Sequence, residues 1–287
     1  MPEQHDLTAA PSLLPLYAKA ALTGPLHRGG GSLSDSVYTL GHQVIDVDHL
    51  ATYNRVCGFA LSDVLPPTYL HMLAFPLSVA LMTERAFPFP LVGAVHVANS
   101  IAVRRPVRVD EEVSLAVRAA DLRPHPAGQQ FDLVADVTVD GELVWSSRST
   151  YLRRGRPSGE KKSGTRREPE TPPGAVSLIR VPGDTGRRYA AVSGDRNPIH
   201  LHALTAKAFG FPSAIAHGMW LKARTLATLE GRLPSAYTVD VAFKLPVLLP
   251  TTVAVAAVPQ GSGWSLDVRN PRSGKPHLAG AVLEPSA

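Results

Sequence analysis

With a single cysteine, Cys57, among 287 residues, the chain has neither an internal disulfide framework nor a cysteine-rich metal site. That scarcity fits a reducing compartment, and a cytoplasmic location is the expectation. Long apolar runs are missing too. Stretches such as 73–82 fall far short of the roughly 20 residues that span a bilayer, and Pro76 interrupts that one, so no membrane insertion is expected. The opening residues Met1-Pro2-Glu3-Gln4-His5-Asp6 lack a basic start leading into an apolar run, so they do not read as a secretion signal. Acidic side chains are the minority, 24 against 29 basic ones, which leaves a formal charge of +5. The excess is local: Arg153, Arg154, Arg156, Lys161, Lys162, Arg166 and Arg167 lie among Gly, Ser and Thr. A segment that polar describes a solvated connector, and no nucleic-acid partner is expected.

What is present is a core-forming chain with an internal repeat. Its length suffices for a substantial buried core. The basic stretch, with Pro157, Pro169, Pro172 and Pro173, divides the chain into a first half at 1–152, a linker at 153–174 and a second half at 175–287. Asp48, Tyr53, Val56, Cys57, Gly58 and Phe59 recur at constant offset as Asp184, Tyr189, Val192, Ser193, Gly194 and Asp195. Pro106, Val107 and Val113 likewise match Pro246, Val247 and Val253. Each half reads as a strand, a helical region and then several alternating strands, an α+β plan in which one helix faces an antiparallel sheet. The main helix of the second half is expected over 213–230, with Ile215, Met219, Ala223, Leu226 and Ala227 on one stripe and Gly231 as its stop. Asp140-Gly141 is a hairpin signal.

The halves differ where chemistry would sit. The second carries Asp195 opposite Phe59 of the first, and a longer segment follows it, containing Asn197-Pro198-Ile199-His200. Asn197 suits a helix N-cap, Pro198 the first helical position and Gly210 the far end, which puts His200 in the first turn and Asp195 in the loop before it. A carboxylate and an imidazole brought together there form an acid/base pair, as needed to activate water at one carbon and deliver a proton to the next. The Gly218 amide, among the unpaired donors of a helix start, is the candidate for holding a developing oxyanion. His200 and His202, two apart on a helix, point away from each other, so no metal site is expected. His217 reads as a structural brace.

The run Tyr189-x2-Val192-Ser193-Gly194-Asp195-x-Asn197-Pro198-x-His200, followed by Ala216-His217-Gly218-Met219, resembles the MaoC-like hydratase 2 family. The resemblance is close over 189–220 and extends elsewhere only through the two-half plan. It implies a double hot-dog fold, with a degenerate first half, and R-specific hydration of trans-2-enoyl thioesters, or the reverse dehydration of 3-hydroxyacyl thioesters, in fatty-acid metabolism. It also implies Asp195 and His200 as the catalytic pair, Asn197 as orienting partner, the Gly218 amide as oxyanion donor, and Ser193, Gly194 and Met219 around the substrate. The implied partner is a coenzyme A or acyl carrier protein thioester, with no redox cofactor and no metal, in a monomer or homodimer. Arg196, Lys207 and Arg224 are candidates for carrier phosphates, although such residues ordinarily only solvate a face. Hot-dog folds host several chemistries, so thioester hydrolysis and non-catalytic acyl-thioester binding stand as alternatives.

Overall fold

The computed structural model describes residues 3–23, 31–155 and 176–284. Most of the expected linker therefore lies outside the described residues. In chain order the elements are β1 (Gln4–Leu7), α1 (Leu13–Thr23), β2 (Val37–Gln43), α2 (Val47–Cys57), α3 (Pro67–Met82), β3 (Ala94–Val103), β4 (Val113–His125), β5 (Gly128–Val139) and β6 (Glu142–Arg154). They continue as β7 (Val176–Val181), α4 (Thr185–Ser193), α5 (Pro198–Leu201), α6 (Ala203–Ala208), α7 (Gly218–Leu226), β8 (Tyr237–Phe243), β9 (Thr251–Gln260), β10 (Gly263–Arg269) and β11 (Pro276–Leu283). Neither β1 nor α1 was legible in the sequence.

The chain divides into two compact units, Met1–Ile45 with Leu70–Ile101 and Asp110–Thr165, and Asp46–Tyr69 with Ala102–Val109 and Arg166–Ala287. The division is interleaved: α2 clusters with the elements that carry Asp195 and His200, not with the strands that flank it in sequence.

In the first unit the strands run β1-β2-β4-β5-β6-β3. The β2-β4, β4-β5 and β5-β6 pairs are antiparallel, while β1 joins β2 in parallel. The β5–β6 hairpin turns at Asp140 (φ 49°) and Gly141 (φ 80°), the two positive values a two-residue type I′ turn demands. Helix α3 is apolar on nearly every face and is buried accordingly, with Leu77, Val79 and Leu81 fully enclosed. Each such side chain contributes about 1.5–3 kcal/mol of hydrophobic stabilisation.

In the second unit the order is β8-β11-β10-β9-β7, with antiparallel pairing for β8-β11, β11-β10, β10-β9 and β9-β7. Helix α7 lies against this sheet: Lys222, fully buried, donates from Nζ to the Val239 carbonyl of β8 at 3.0 Å. The helix starts later than its pattern implies. Residues 213–217 are not helical, because the backbone there pairs elsewhere: Ala216 N donates to Val247 O (2.9 Å) and Leu249 N to Ala214 O (2.8 Å) around an Ile215–Leu248 bridge. Ile215 and Ala216 are buried in that bridge, so their apolar character mimicked a longer helical stripe. A short 3-10 turn, Ala227–Leu229, ends the helix before Gly231, which takes φ 73°. Both units thus lay a helix on a largely antiparallel sheet, the α+β hot-dog arrangement.

Candidate active site

The site is assembled on the turn between α4 and α5. Helix α4 ends at Gly194, whose φ of 71° is a left-handed cap that a residue with a side chain would adopt under strain. Ser193 locks the reversal: its buried hydroxyl donates to Tyr189 O (2.8 Å) and accepts from Asp195 N (3.2 Å). Asp195 leaves the turn with Oδ1 accepting from the Asn197 backbone N–H at 3.2 Å. The Asn197 side chain is engaged elsewhere, accepting from Ile199 N at 3.4 Å as the cap of α5. Asn197 therefore orients the carboxylate through its backbone, with its side chain beginning the helix that carries the histidine.

That helix is short. It breaks at His202 (φ −144°, ψ 147°) and resumes as α6, so the expected single helix running to Gly210 is two pieces. His202 is exposed while His200 is buried, and the two histidines do not converge. The approach of α5 to α4 depends on Gly186. A β-carbon there would meet the His200 carbonyl oxygen at 2.0 Å, a clash with backbone that no rotamer relieves. Sequence reading had passed over Gly186, although the repeat offset pairs it with Leu50, a signal that the two copies differ at that point.

His200 is 9% exposed. Its Nδ1 sits 2.8 Å from Ile215 O. A carbonyl only accepts, so Nδ1 carries the proton and Nε2 keeps a lone pair. Burial lowers the His200 pKa below its ordinary 6.5, against the opposing pull of Asp195 and the Ile215 bond. The ring is neutral at pH 7 and poised as a base.

His217, read as a brace, is part of this cluster. Its ring stacks on His200 with centroids 3.7 Å apart and planes 27° from parallel. Its Nε2 donates to the Asp195 carbonyl at 3.0 Å and lies 3.8 Å from the Asp195 carboxylate. Burial, then the neighbouring His200, pulls its pKa down to about 3. One donor atom each from Asp195, His200 and His217 lies within 4.8 Å of the others, a spacing within a cation's reach. His200 Nδ1 and His217 Nε2 each carry a proton committed to a backbone carbonyl, which leaves His200 Nε2, His217 Nδ1 and the carboxylate as the ligand atoms the cluster could offer.

Helix α7 begins immediately after His217, so the amides of its first turn, Gly218 included, open beside this cluster. A β-carbon at Gly218 would stand 3.1 Å from the Phe243 ring, so the glycine gives room to that ring. Met219 is buried in the same first turn. Arg224 is half-buried and packs against the glycine that closes α2, its Nη1 2.7 Å from where a β-carbon on Gly58 would stand.

A hot-dog unit with a carboxylate and a neutral imidazole converging at the start of its central helix defines an acid/base enzyme of the hot-dog class. The MaoC like domain family matches residues 164–276. Over 278 residues the chain is 39% identical to 3-hydroxyacyl-thioester dehydratase X of Mycobacterium tuberculosis, a span covering 96% of this chain and 99% of that protein. A crystal structure of that protein overlays with a TM-score of 0.76 at 37% identity, covering 87% of this chain and 100% of that one. A MaoC-like dehydratase from Phytophthora capsici shares the fold at 18% identity, with a TM-score of 0.69 over 88% of this chain and 95% of its own. The chain belongs to the MaoC-like dehydratase family.

Proposed function

We propose that the protein is a hydro-lyase, an R-specific enoyl-thioester hydratase and 3-hydroxyacyl-thioester dehydratase of fatty-acid metabolism, acting in the cytoplasm on coenzyme A or acyl carrier protein thioesters. The observation that carries this reading is the neutral His200 facing the Asp195 carboxylate beside the N-terminus of α7. In the hydration direction, Nε2 of His200 takes a proton from a water held between it and Asp195. The water oxygen bonds to C3 of the enoyl chain, and the C2=C3 electron pair moves toward the thioester oxygen. The Gly218 amide faces the charge that gathers on that oxygen. Asp195 stabilises the imidazolium, whose proton then goes to C2, so the sum is one water added. Dehydration runs the same steps in reverse.

Ser193 and Gly194 serve this chemistry by shaping the Asp195 turn, and Met219 by packing the start of α7. Residues 1–152 form the degenerate copy and 175–287 the catalytic one, joined by 153–174. A family relative named for acting on 3-hydroxyacyl thioesters supports the substrate class. In the test, purified protein is added to a trans-2-enoyl-CoA while its conjugated absorbance and free thiol are followed together. Loss of absorbance with no thiol release and an R-configured product is expected. Thiol release would point to a thioesterase instead, and tight binding without turnover to a non-catalytic binder.

A further inference from the structure

Residue 217 occupies the N-cap of α7 with φ −66° and ψ 139°, the extended conformation in which Ser, Asn or Asp would accept from the amides of the first turn. A histidine stands there and makes no such bond. It is 3% exposed, and its Nδ1 is buried without a hydrogen-bond partner. A helix start that forgoes a cap and buries an unmatched acceptor breaks two local rules at once. Such departures collect where a site requires them. The ring is instead turned to the acid/base pair, stacked on His200 and bonded through Nε2 to the Asp195 carbonyl.

We propose that His217 is a positioning residue of the hydration site: its ring backs the His200 imidazole, its Nε2–H anchors the turn carrying Asp195, and its failure to cap α7 leaves the first amides of that helix open to the substrate's thioester oxygen. The inference rests on the hydratase reading given above. The titratable groups facing His217 are Tyr189 from α4 (ring centroids 4.9 Å apart), Asp195 from the turn and His200 from α5. A hydroxyl or carboxylate at position 217 would take up the amides of the first turn. A plain aliphatic would release the Asp195 carbonyl. Histidine alone among these choices does the anchoring and the stacking while leaving the amides unoccupied.

His217→Phe and His217→Gln separate these duties. The phenyl ring keeps the stack and removes the anchor, whereas the amide can restore an N–H donor and removes the stack. In the full chain, kcat and KM for enoyl-CoA hydration are followed across pH, with imidazole NMR titration of His200 and thermal melting alongside. For His217→Phe we expect kcat to fall on the order of 100-fold with KM changed by no more than about threefold, because the Asp195 turn shifts, while His200 titrates as in the parent. For His217→Gln we expect about a tenfold recovery of that kcat, with the His200 titration and the acid limb of the rate profile rising toward 6.5 as water reaches the exposed ring face. Parent-like kcat in both variants would overturn the proposal, as would equal losses of kcat and melting temperature with the His200 titration unmoved. If the parent protein itself shows no turnover, the hydratase reading fails, whereas the NMR titrations of the two variants still decide the positioning role.

Discussion

Helices α2 and α4, both within the second compact unit, are two copies of one device used to different ends. Each closes on a left-handed glycine, Gly58 at φ 83° and Gly194 at φ 71°, whose N–H returns to the carbonyl four residues earlier, at 2.7 Å and 3.0 Å. Each is followed by a short backbone bridge of the same form, Leu65 N to Val107 O in one and Ala216 N to Val247 O in the other. The two helices pack together, with Tyr53 and Tyr189, equivalent positions in the repeat, 6.3 Å apart, and His49 Nε2 2.9 Å from Val192 O. The copies differ at a few places. Leu50 stands where α4 has Gly186, Phe59 where the turn has Asp195, and the first copy lacks a counterpart of α5 and α6. The backbone device needs only a helix, a glycine and a bridge, so it tolerates either content. The chemistry additionally needs a gap beside the helix and a segment to fill it with a histidine.

Breaking the copy that carries Asp195 and His200 at those two residues gives the largest expected effect. Asp195→Asn and His200→Ala should each lower kcat per folded molecule by about 100- to 10,000-fold, measured by enoyl-thioester absorbance, with the melting temperature near that of the parent in Asp195→Asn and lowered in His200→Ala, which empties a buried site. Converting the other copy is the converse. Phe59→Asp in a His200→Ala background should restore nothing, since no histidine is delivered to that turn. Recovery of activity there would mean that the two copies are chemically interchangeable after all.

Gly186→Ala comes next. Its β-carbon would meet the His200 carbonyl at 2.0 Å, so α5 must retreat and carry the imidazole with it. A misplacement of that kind costs on the order of 100-fold in kcat, and overpacking costs about 1–3 kcal/mol of stability. The matched change Leu50→Ala empties a buried site, and should cost about 2–5 kcal/mol while kcat per folded molecule stays within about threefold. Equal kinetic losses in the two variants would erase the distinction between the copies.

The repeat, the alternating strands and the Asp195/His200 segment were legible because each leaves a pattern along the chain: a constant offset, period-two burial, or a cap residue followed by proline. The start of α7 was not, because buried residues in a bridge and in a helix are equally apolar, and only the partners of the Ala214 and Ala216 backbone tell them apart. His217 was undervalued for a related reason. At an N-cap a histidine looks like a weak choice, and its value becomes visible only when the ring is seen stacked on His200. The clustering of α2 with α4 and α7 depends on contacts far apart in sequence, which no local pattern encodes.

Acid stability offers a smaller test of the same asymmetry. His200 and His217 both have folded pKa values below their ordinary 6.5, so the unfolded chain binds more protons than the native one as pH falls. Stability attributable to them is complete above pH 6.5 and is lost progressively below it, down to about pH 3 for His217. Urea unfolding between pH 7 and pH 4 should show this slope, and removing the His217 titration in His217→Phe should flatten it. A slope unchanged in that variant would place the acid sensitivity on groups other than His217.

Trp220→Phe should have the smallest effect, and it probes what the silent copy contributes. Trp220 is in the first turn of α7, and its indole N–H donates at 3.0 Å to the Val56 carbonyl, one of those left without an intrahelical partner in the last turn of α2. The bond ties the helix that opens on the active site to the copy that carries Phe59. Phenylalanine keeps much of the buried ring and removes the donor, a loss of about 1 kcal/mol, or about 2–4 °C in melting temperature for a protein of this size. If α2 supplies shape alone, kcat should stay within about threefold of the parent. A fall in kcat approaching that of Gly186→Ala, at the same small thermal cost, would mean that the position of α7 over the substrate is set from the Phe59-bearing side.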